Sequence, residues 1–437
     1  MSETVRTETI NTALGALERV LDRRLVAALE VCARCGICAE ACHVYASDPR
    51  PEHVPAARAE RVRAVYRRQH DPLGKLFPWL VGAKDLTEPD LDALAEPAFA
   101  SCTLCRRCTI NCPFGVDTAL IMRAARAMLT ATDRAPEMLV MLADAAIARG
   151  EHAEEFREIY REIVAGLEHE AQERLGDPTL RIPLDQQGAE ILYVGLSGAH
   201  TILPAAIIFH EANASWTLSM FEASNYGLFL GDPARAKAIA RRIVDEAVRL
   251  GVKEVVLTEC GHAYAALRWE APNWFGGEFP FKVRSIVEVL ADYVRDGRLA
   301  LDPTANPEPV TYHDSCNLAR NGGLIEAPRI VLRAAVQNFV EMNPHGKENF
   351  CCGGGGGLVA IPEWFETRMR AGRKKAEQIR AAGAPVVATS CENCNLQLTD
   401  LNGYYDLNVQ VVGLMELVVN ALLKARRRHA VPLPEAA

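Results

Sequence analysis

Residues 102–113 read Cys102-Thr103-Leu104-Cys105-Arg106-Arg107-Cys108-Thr109-Ile110-Asn111-Cys112-Pro113, a run of four cysteines with the spacing Cys-x2-Cys-x2-Cys-x3-Cys. The same spacing occurs earlier in the chain, at Cys32, Cys35, Cys38 and Cys42, where His43 stands in place of the final proline. Three thiolates at this spacing can wrap a loop around one metal centre, while the fourth points away from it. These two cysteine loops decide how the first part of the chain folds.

The distribution of cysteines favours metal binding over a disulfide framework. The chain has 437 residues and 14 cysteines, of which eight lie within residues 32–112, five within 316–394, and Cys260 alone between them. The first thirty residues carry scattered charges and lack the continuous apolar segment typical of a secretory signal. Clustered cysteines in a chain of this kind indicate metal ligands, whereas Cys260 alone is interpreted as a buried or free thiol.

The two loops predict two cubane [4Fe–4S] clusters with crossed ligands. In two-cluster ferredoxins the fourth cysteine of each run ligates the other cluster. The first cluster is therefore assigned to Cys32, Cys35, Cys38 and Cys112, and the second to Cys102, Cys105, Cys108 and Cys42. Zinc is the alternative, but structural zinc prefers well-separated cysteine pairs, which fits two runs of four poorly. Arg34, Arg106 and Arg107 lie among the ligands and are interpreted as solvated loop charges.

A third group of cysteines follows a different pattern, with two adjacent cysteines and a run of glycines. Its members are Cys316, Cys351, Cys352, Cys391 and Cys394, and Gly353, Gly354 and Gly355 belong to the five glycines that follow Cys352. Glycine allows the tight backbone bend that two adjacent ligands need. Cys316, Cys351–Cys352 and Cys391 are expected at the carboxyl ends of parallel strands, where such sheets usually bind ligands. Five thiolates exceed the needs of one cubane, which suggests an opened cluster.

Two other interpretations of this third group remain. A dithiol/disulfide pair formed by Cys391 and Cys394 is the main alternative. A phosphate-binding loop is excluded because no Lys-Ser or Lys-Thr follows the glycines. Among nearby polar residues, His313 is a weak candidate for delivering protons to a leaving thiolate.

Hydrophobic patterning predicts an α+β multidomain chain. We expect an all-helical, ferredoxin-like domain over residues 1–170 with two [4Fe–4S] sites, and then a duplicated α/β region with a mostly parallel sheet. Residues 187–300 form the first, degenerate copy and residues 301–437 the intact copy. In a register that aligns Cys260 with Cys391, Ala263 stands where the second copy has Cys394.

Composition excludes two further classes of protein. The formal net charge of −8 argues against nucleic acid as a partner. Residues 191–209 carry no charge, but their glycines and Pro204 predict a strand, a turn and a helix rather than a membrane span. The basic stretches at Arg58–Arg68 and Arg368–Lys375 are interpreted as solvated helix faces.

From Cys32 to Cys394 the chain resembles the D-type catalytic polypeptide of heterodisulfide reductase. It is still more similar to the K-type polypeptide of the membrane complex associated with dissimilatory sulfite reduction, since it has one intact motif of two cysteines and a glycine (CCG), where the D-type polypeptide has two. This resemblance implies that the five CCG cysteines hold a noncubane [4Fe–4S] cluster and are the catalytic residues, acting on a disulfide-type S–S bond in a thiol cofactor or small sulfur-carrying protein. The bond would be reduced, or formed from two thiols.

The resemblance also implies partners and a location. We expect redox partner subunits, either a haem b membrane subunit or a flavoprotein, and a cytoplasmic location, peripheral on the inner face of the membrane through such a partner. The alternative function is an electron conduit, namely the Fe–S subunit of a flavin-linked glycolate, lactate or glycerol-3-phosphate dehydrogenase, or an acceptor from electron-transfer flavoprotein. No GxGxxG fingerprint occurs, so a flavin would reside on the partner. A zinc-stabilised interaction module is the third class.

Overall fold

A computed structural model describes residues 3–148, 157–196 and 198–430. Residues 1–2, 149–156, 197 and 431–437, which belong to the domain ranges predicted above, lie outside the described residues. The chain divides into two compact units that are discontinuous in sequence. The first unit comprises Met1–Asp144, Tyr226–Ala236 and Phe350–Glu377, and the second comprises Ala145–Asn225, Lys237–Asn349 and Gln378–Ala437. The continuous ranges 1–170, 187–300 and 301–437 stay a prediction.

Helices are the regular elements of the described chain before Ile191. They are α1 (Glu3–Val20), α2 (Arg23–Glu30), α3 (Cys38–Ala41), α4 (His43–Ser47), α5 (Pro55–His70), α6 (Pro72–Leu76), α7 (Pro78–Val81), α8 (Glu88–Asp92), α9 (Arg107–Ile110), α10 (Thr118–Ala131), α11 (Glu137–Ala148) and α12 (Arg157–Leu175). Helix α10 is buried along most of its length and packs against α1, α2 and α5. The prediction of a mostly helical first part is confirmed.

Strands and helices alternate from Ile191 onward. The strands are β1 (Ile191–Val194), β2 (Trp216–Leu218), β3 (Glu254–Leu257), β4 (Lys282–Ser285), β5 (Pro309–His313), β6 (Asn338–Val340), β7 (Val386–Thr389) and β8 (Gln410–Gly413). The helices are α13 (Ala199–Glu211), α14 (Tyr226–Leu230), α15 (Pro233–Leu250), α16 (Gly261–Tyr264), α17 (Ala271–Phe275), α18 (Ile286–Arg295), α19 (Glu326–Ala335), α20 (Phe365–Ala382), α21 (Glu392–Tyr404) and α22 (Leu414–Ala430).

The eight strands form two parallel sheets with the same topology. Their orders are β2-β1-β3-β4 and β6-β5-β7-β8, so the second strand, then the first, third and fourth, lie side by side in each. Tyr193 donates a hydrogen bond to Thr258 Oγ1 at 2.8 Å, and Tyr312 donates one to Ser390 Oγ at 3.0 Å, so each sheet joins its two central strands in a similar way. The predicted duplicated α/β region with parallel strands is confirmed.

The second unit has one hydrophobic core that both sheets share. It contains Val194 and Val256 from the first sheet and Val310 and Ala388 from the second. The uncharged residues 191–209 belong to this core as β1, a turn and the start of α13. In the described part of the chain, no helix has both the length and the apolarity needed to cross a bilayer.

Candidate functional site

The two cysteine loops of the first unit have the same backbone conformation. Arg34 and Leu104, which follow the first cysteine of each run by two residues, have φ of +56° and +59°. Gly36 and Arg106, two residues further on, have φ of +80° and +58°. Left-handed residues turn the chain sharply, so each loop curls around the space that its own three cysteines enclose.

The first loop encloses a recess that is partly open to solvent. About 430 Å³ of atom-free space is lined by five cysteines, which are Cys32, Cys35, Cys38, Cys108 and Cys112. Burial raises the pKa of the Cys38 thiol, and the neighbouring thiols of Cys32, Cys112 and Cys35 raise it further. Cys112 therefore lies with the first run of cysteines, although it belongs to the second. Four soft thiolates around one recess fit an iron–sulfur cluster.

The second loop lies deeper. Burial raises the pKa of the Cys108 thiol well above its usual range, and Cys105, Cys42 and Cys102 raise it further. Cys42, the fourth cysteine of the first run, thus lies close to the second run. This donor set also fits a cluster, and the crossed assignment of Cys42 and Cys112 remains our proposal.

A buried arginine that sequence reasoning missed faces the second loop. Arg58 is 2% exposed, and its Nη2 donates to Cys42 Sγ at 3.2 Å. Its Nε and Nη1 have no hydrogen-bond partner among the described residues. Although burial opposes the charge, Cys42, Cys102 and Cys108 together raise the pKa of Arg58, so it is a cation.

The interpretation of two basic stretches as solvated helix faces is therefore wrong for part of each. Arg58 and Arg63 are buried on α5, and Arg368 and Lys375 are buried on α20. Buried arginines are retained where anionic or carbonyl partners surround them, as the thiolates of cluster ligands do here. The sequence signal that could have found Arg58 is its position on the helix that follows the first cysteine loop.

The three arginines within the loops differ from one another. Arg34 is exposed and forms an ion pair with Glu60, which agrees with a surface role. Arg106 is half-buried and forms an ion pair with Asp117. Arg107 is buried, donates to the carbonyl of Ala41 at 2.7 Å and stacks over the Phe350 ring, so its interpretation as a solvated charge is wrong.

The glycine run packs closely on the second cysteine loop within the first unit. A Cβ on Gly355 would lie 3.1 Å from the carbonyl oxygen of Thr103, and Gly353, with φ of +99°, approaches the backbone of Gly372. Arg126 fastens the run from below, since it donates to the carbonyls of Gly356 at 2.7 Å and Cys102 at 2.8 Å. Glycine is required here because the backbone must approach another backbone without a side chain between them.

Cys351 lies against the second cysteine loop. Its Sγ is 3.3 Å from Thr103 Oγ1, and a hydrogen bond between the two thiols is the largest influence that raises the pKa of Cys105. A ring nitrogen of His43 and the Sγ atoms of Cys105 and Cys351 lie within 4.8 Å of one another. A cysteine of the CCG motif and a ligand of the second cubane are thus neighbours.

The second unit contributes Cys316, Cys391 and Cys394, which follow the carboxyl ends of β5 and β7. Cys391 caps the amino end of α21, and the hydrogen bond from the Cys394 thiol, with the Gly261 amide and the Ser315 hydroxyl, lowers its pKa to about 6 despite burial. No disulfide joins any of the cysteines, all of which lie in the described ranges.

Cys260 and His313 occupy structural positions in the second unit. Cys260 is buried, donates to the carbonyl of Ala223 at 3.1 Å and lies 3.3 Å from Nδ1 of His262. His313 is buried at the end of β5, with its Nδ1 3.4 Å from the Asn349 amide. Beside it, Asp314 is held by two hydrogen bonds of 2.8 Å from Arg329, so this acid is a structural anchor.

Comparisons with known proteins agree with this geometry. The family model of the 4Fe-4S dicluster domain matches residues 28–116, and that of the CCG cysteine-rich domain matches residues 310–399. The chain is 31% identical to the Hdr-like menaquinol oxidoreductase iron-sulfur subunit 2 of Archaeoglobus fulgidus over 90% of this chain and 80% of that protein. It is 30% identical to the Hdr-like menaquinol oxidoreductase iron-sulfur subunit of Archaeoglobus profundus, over 90% and 79%. It is 24% identical to the D-type polypeptide of the dihydromethanophenazine:CoB–CoM heterodisulfide reductase of Methanosarcina barkeri, over 90% and 94%.

Proposed function

Because the chain belongs to the family of Hdr-like iron–sulfur oxidoreductase subunits, we propose that it reduces or forms a disulfide-type S–S bond at a cluster held by the CCG cysteines. The substrate class is a thiol cofactor or a small sulfur-carrying protein. Two cubane clusters, held by the crossed sets of ferredoxin-type cysteines, connect this centre with a redox partner.

The position of Cys351 carries this proposal. A chain that merely conducts electrons needs its centres within tunnelling reach, whereas a catalytic centre also needs a dedicated electron supply. Cys351 supports such a supply, because its Sγ contacts Thr103 inside the second cysteine loop at 3.3 Å. The same loop carries Cys102 and Cys105, which we assign to the second cubane.

When bound, the clusters would supply single-electron transfer, and the CCG centre an iron able to bind sulfur. The protein's own residues prepare the site. The Cys394 thiol and the Ser315 hydroxyl stabilise the Cys391 thiolate, whose pKa of about 6 makes it a ready ligand at neutral pH. Gly353 and Gly355 allow the adjacent Cys351 and Cys352 to sit tightly against their surroundings.

The first cysteine loop is where we place the contact with the redox partner. Cys35 is exposed, and two large apolar side chains beside the recess are about half exposed, namely Ile37 at 50% and Phe114 at 53%. A partner subunit that covers these side chains would bury apolar surface and bring its own redox group to the first cubane. We propose a haem b membrane subunit or a flavoprotein for this role, with the chain held peripherally at the membrane by that partner.

The test is anaerobic turnover of an S–S substrate with a reduced viologen dye, using the complete chain and the variants Cys351→Ser and Cys352→Ser. Both variants should lose the thiol-dependent EPR signal and disulfide reduction while they keep the two cubane signals. Cys260→Ser is the matched control, since this cysteine is buried beside Ala223 and is not an assigned ligand, and it should keep turnover. Normal turnover in Cys351→Ser would remove the catalytic assignment and leave the electron-conduit function.

A further inference from the structure

His43 occupies a position for which the backbone alone gives no reason to select histidine. It is the first residue of α4, directly after Cys42. Proline is well suited to the first position of a helix, because its φ is already helical and the missing N–H has no intrahelical partner. The second cysteine run has proline at the equivalent position, Pro113. The imidazole of His43 must therefore be explained by what its ring contacts.

The ring lies between two thiols that belong to different motifs. Its Nδ1 is 3.9 Å from Cys105 Sγ, and one ring nitrogen lies within 4.8 Å of both Cys105 Sγ and Cys351 Sγ. The side chain is only 2% exposed. All three residues belong to the first unit.

Burial makes the ring's polar atoms costly unless they contact something. Nε2 of His43 is buried and has no hydrogen-bond partner among the described residues. An orphaned buried nitrogen costs roughly 1–3 kcal/mol, so a bare structural role does not account for the histidine. A group at Cys105 and Cys351 would supply the missing acceptor.

We propose that His43 is a positioning residue that donates an N–H···S hydrogen bond at the Cys105 ligand and couples the second cubane to the CCG centre at Cys351. Hydrogen bonds to ligand sulfurs stabilise the more negative, reduced state of a cluster and so raise its reduction potential. Thr103 lies on the same junction, 3.3 Å from Cys351 Sγ, so the two centres share a boundary of only a few side chains. This inference rests on the proposed function for the presence of both centres.

The experiment is an EPR-monitored redox titration of the anaerobic complete chain and four variants. His43→Phe and His43→Pro remove the N–H donor, and the proline variant supplies the residue found at position 113. His43→Asn keeps an amide nitrogen near the position of Nδ1. His53→Phe is the matched control, because His53 is also buried but bonds to the Asp48 carbonyl instead of a cysteine.

We expect the midpoint potential of the second cubane to become more negative in His43→Phe and His43→Pro, and to stay near that of the unmodified chain in His43→Asn and His53→Phe. The first cubane, which has no contact with His43 in this assignment, serves as an internal reference and should not move. An exchangeable proton coupling on the second cubane should disappear in His43→Phe.

Three results would overturn the inference. One is an unchanged potential of the second cubane in both donor-free variants. Another is loss of that cluster in His43→Phe and His43→Asn alike, which would make the ring a packing element. The third is a strong nitrogen coupling that marks His43 as an iron ligand. Absence of the second cubane from the unmodified chain would instead overturn the proposed function itself, so the two failures are distinguishable.

Discussion

Arg58 Nη2 lies 3.2 Å from Cys42 Sγ, and the two residues are separated by a helix start and a turn in the sequence. The guanidinium is buried and faces three of the four cysteines that we assign to the second cubane. A fixed cation at this distance favours the addition of an electron to an anionic centre, because the two charges attract through a medium of low polarity.

Arg58→Met should therefore make the second cubane harder to reduce. We expect a shift of about 60–120 mV to more negative potential, which corresponds to roughly a ten- to hundredfold change in the one-electron equilibrium. Redox titration followed by EPR measures it. Arg61→Met, an exposed arginine one turn further along α5, is the control. Equal potentials in the two variants would show that Arg58 only fills space.

Crossed ligation predicts which variants resemble one another. Cys35→Ser defines the spectral change of the first cubane, and Cys105→Ser that of the second. Cys112→Ser should reproduce the change seen in Cys35→Ser, because Cys112 lines the same recess. Cys42→Ser should reproduce the change seen in Cys105→Ser. The opposite pairing would indicate that each run of four cysteines holds its own cluster.

The glycine run should tolerate no side chain at Gly353. An alanine Cβ would lie 2.8 Å from the amide nitrogen of Gly372, at a backbone φ of +99°. We expect Gly353→Ala to lower the free energy of unfolding by roughly 1–3 kcal/mol. Gly403→Ala is the control, since it lies in α21 with no atom within 4 Å of a new Cβ, and it should stabilise by about 0.5–1 kcal/mol. Urea unfolding measures both, and equal stability of the two variants would contradict the close approach.

Glu246 should make the stability of the second unit dependent on pH. Burial raises its pKa from 4.5 to about 7, although Ser219 and the Met220 amide donate hydrogen bonds to it. The folded state keeps a proton that the unfolded state loses, so this contribution is complete below pH 4.5 and is lost as pH rises through about 7.

Between pH 5 and pH 8 the unmodified chain should lose up to about 3 kcal/mol more stability than Glu246→Gln. Urea unfolding at the two pH values, followed by circular dichroism, measures the difference. Asp245→Asn alters the exposed neighbouring carboxylate and should follow the unmodified chain. Parallel pH profiles for Glu246→Gln and the unmodified chain would show that this carboxyl group is ionised in the folded protein.

The central strands of each sheet could be predicted from the sequence, while the edge strands could not. Strands β1, β3, β5 and β7 are continuous apolar runs that lie in the middle of their sheets. The missed strands are β2, β4, β6 and β8, which form the edges. Edge strands are short or carry polar residues such as Lys282 and Gln410, because one side needs no further partner.

The candidate site shows the same limit. Spacing alone identified all thirteen patterned cysteines, because ligand spacing is a local property of the chain. It could not reveal that Cys351 contacts Thr103, or that Arg58 contacts Cys42, because both contacts depend on packing between distant segments. The burial of Arg107 was missed for the same reason, since its partners are Ala41 and Phe350.

Iron content tests the central claim most directly. The chain, purified and assayed without oxygen, should contain about twelve irons and an equal amount of acid-labile sulfide, as three four-iron clusters require. The double variant Cys351→Ser, Cys352→Ser should contain about eight irons and keep both cubane EPR signals. A value of about eight in the unmodified chain and in the variant alike would contradict a cluster at the CCG cysteines.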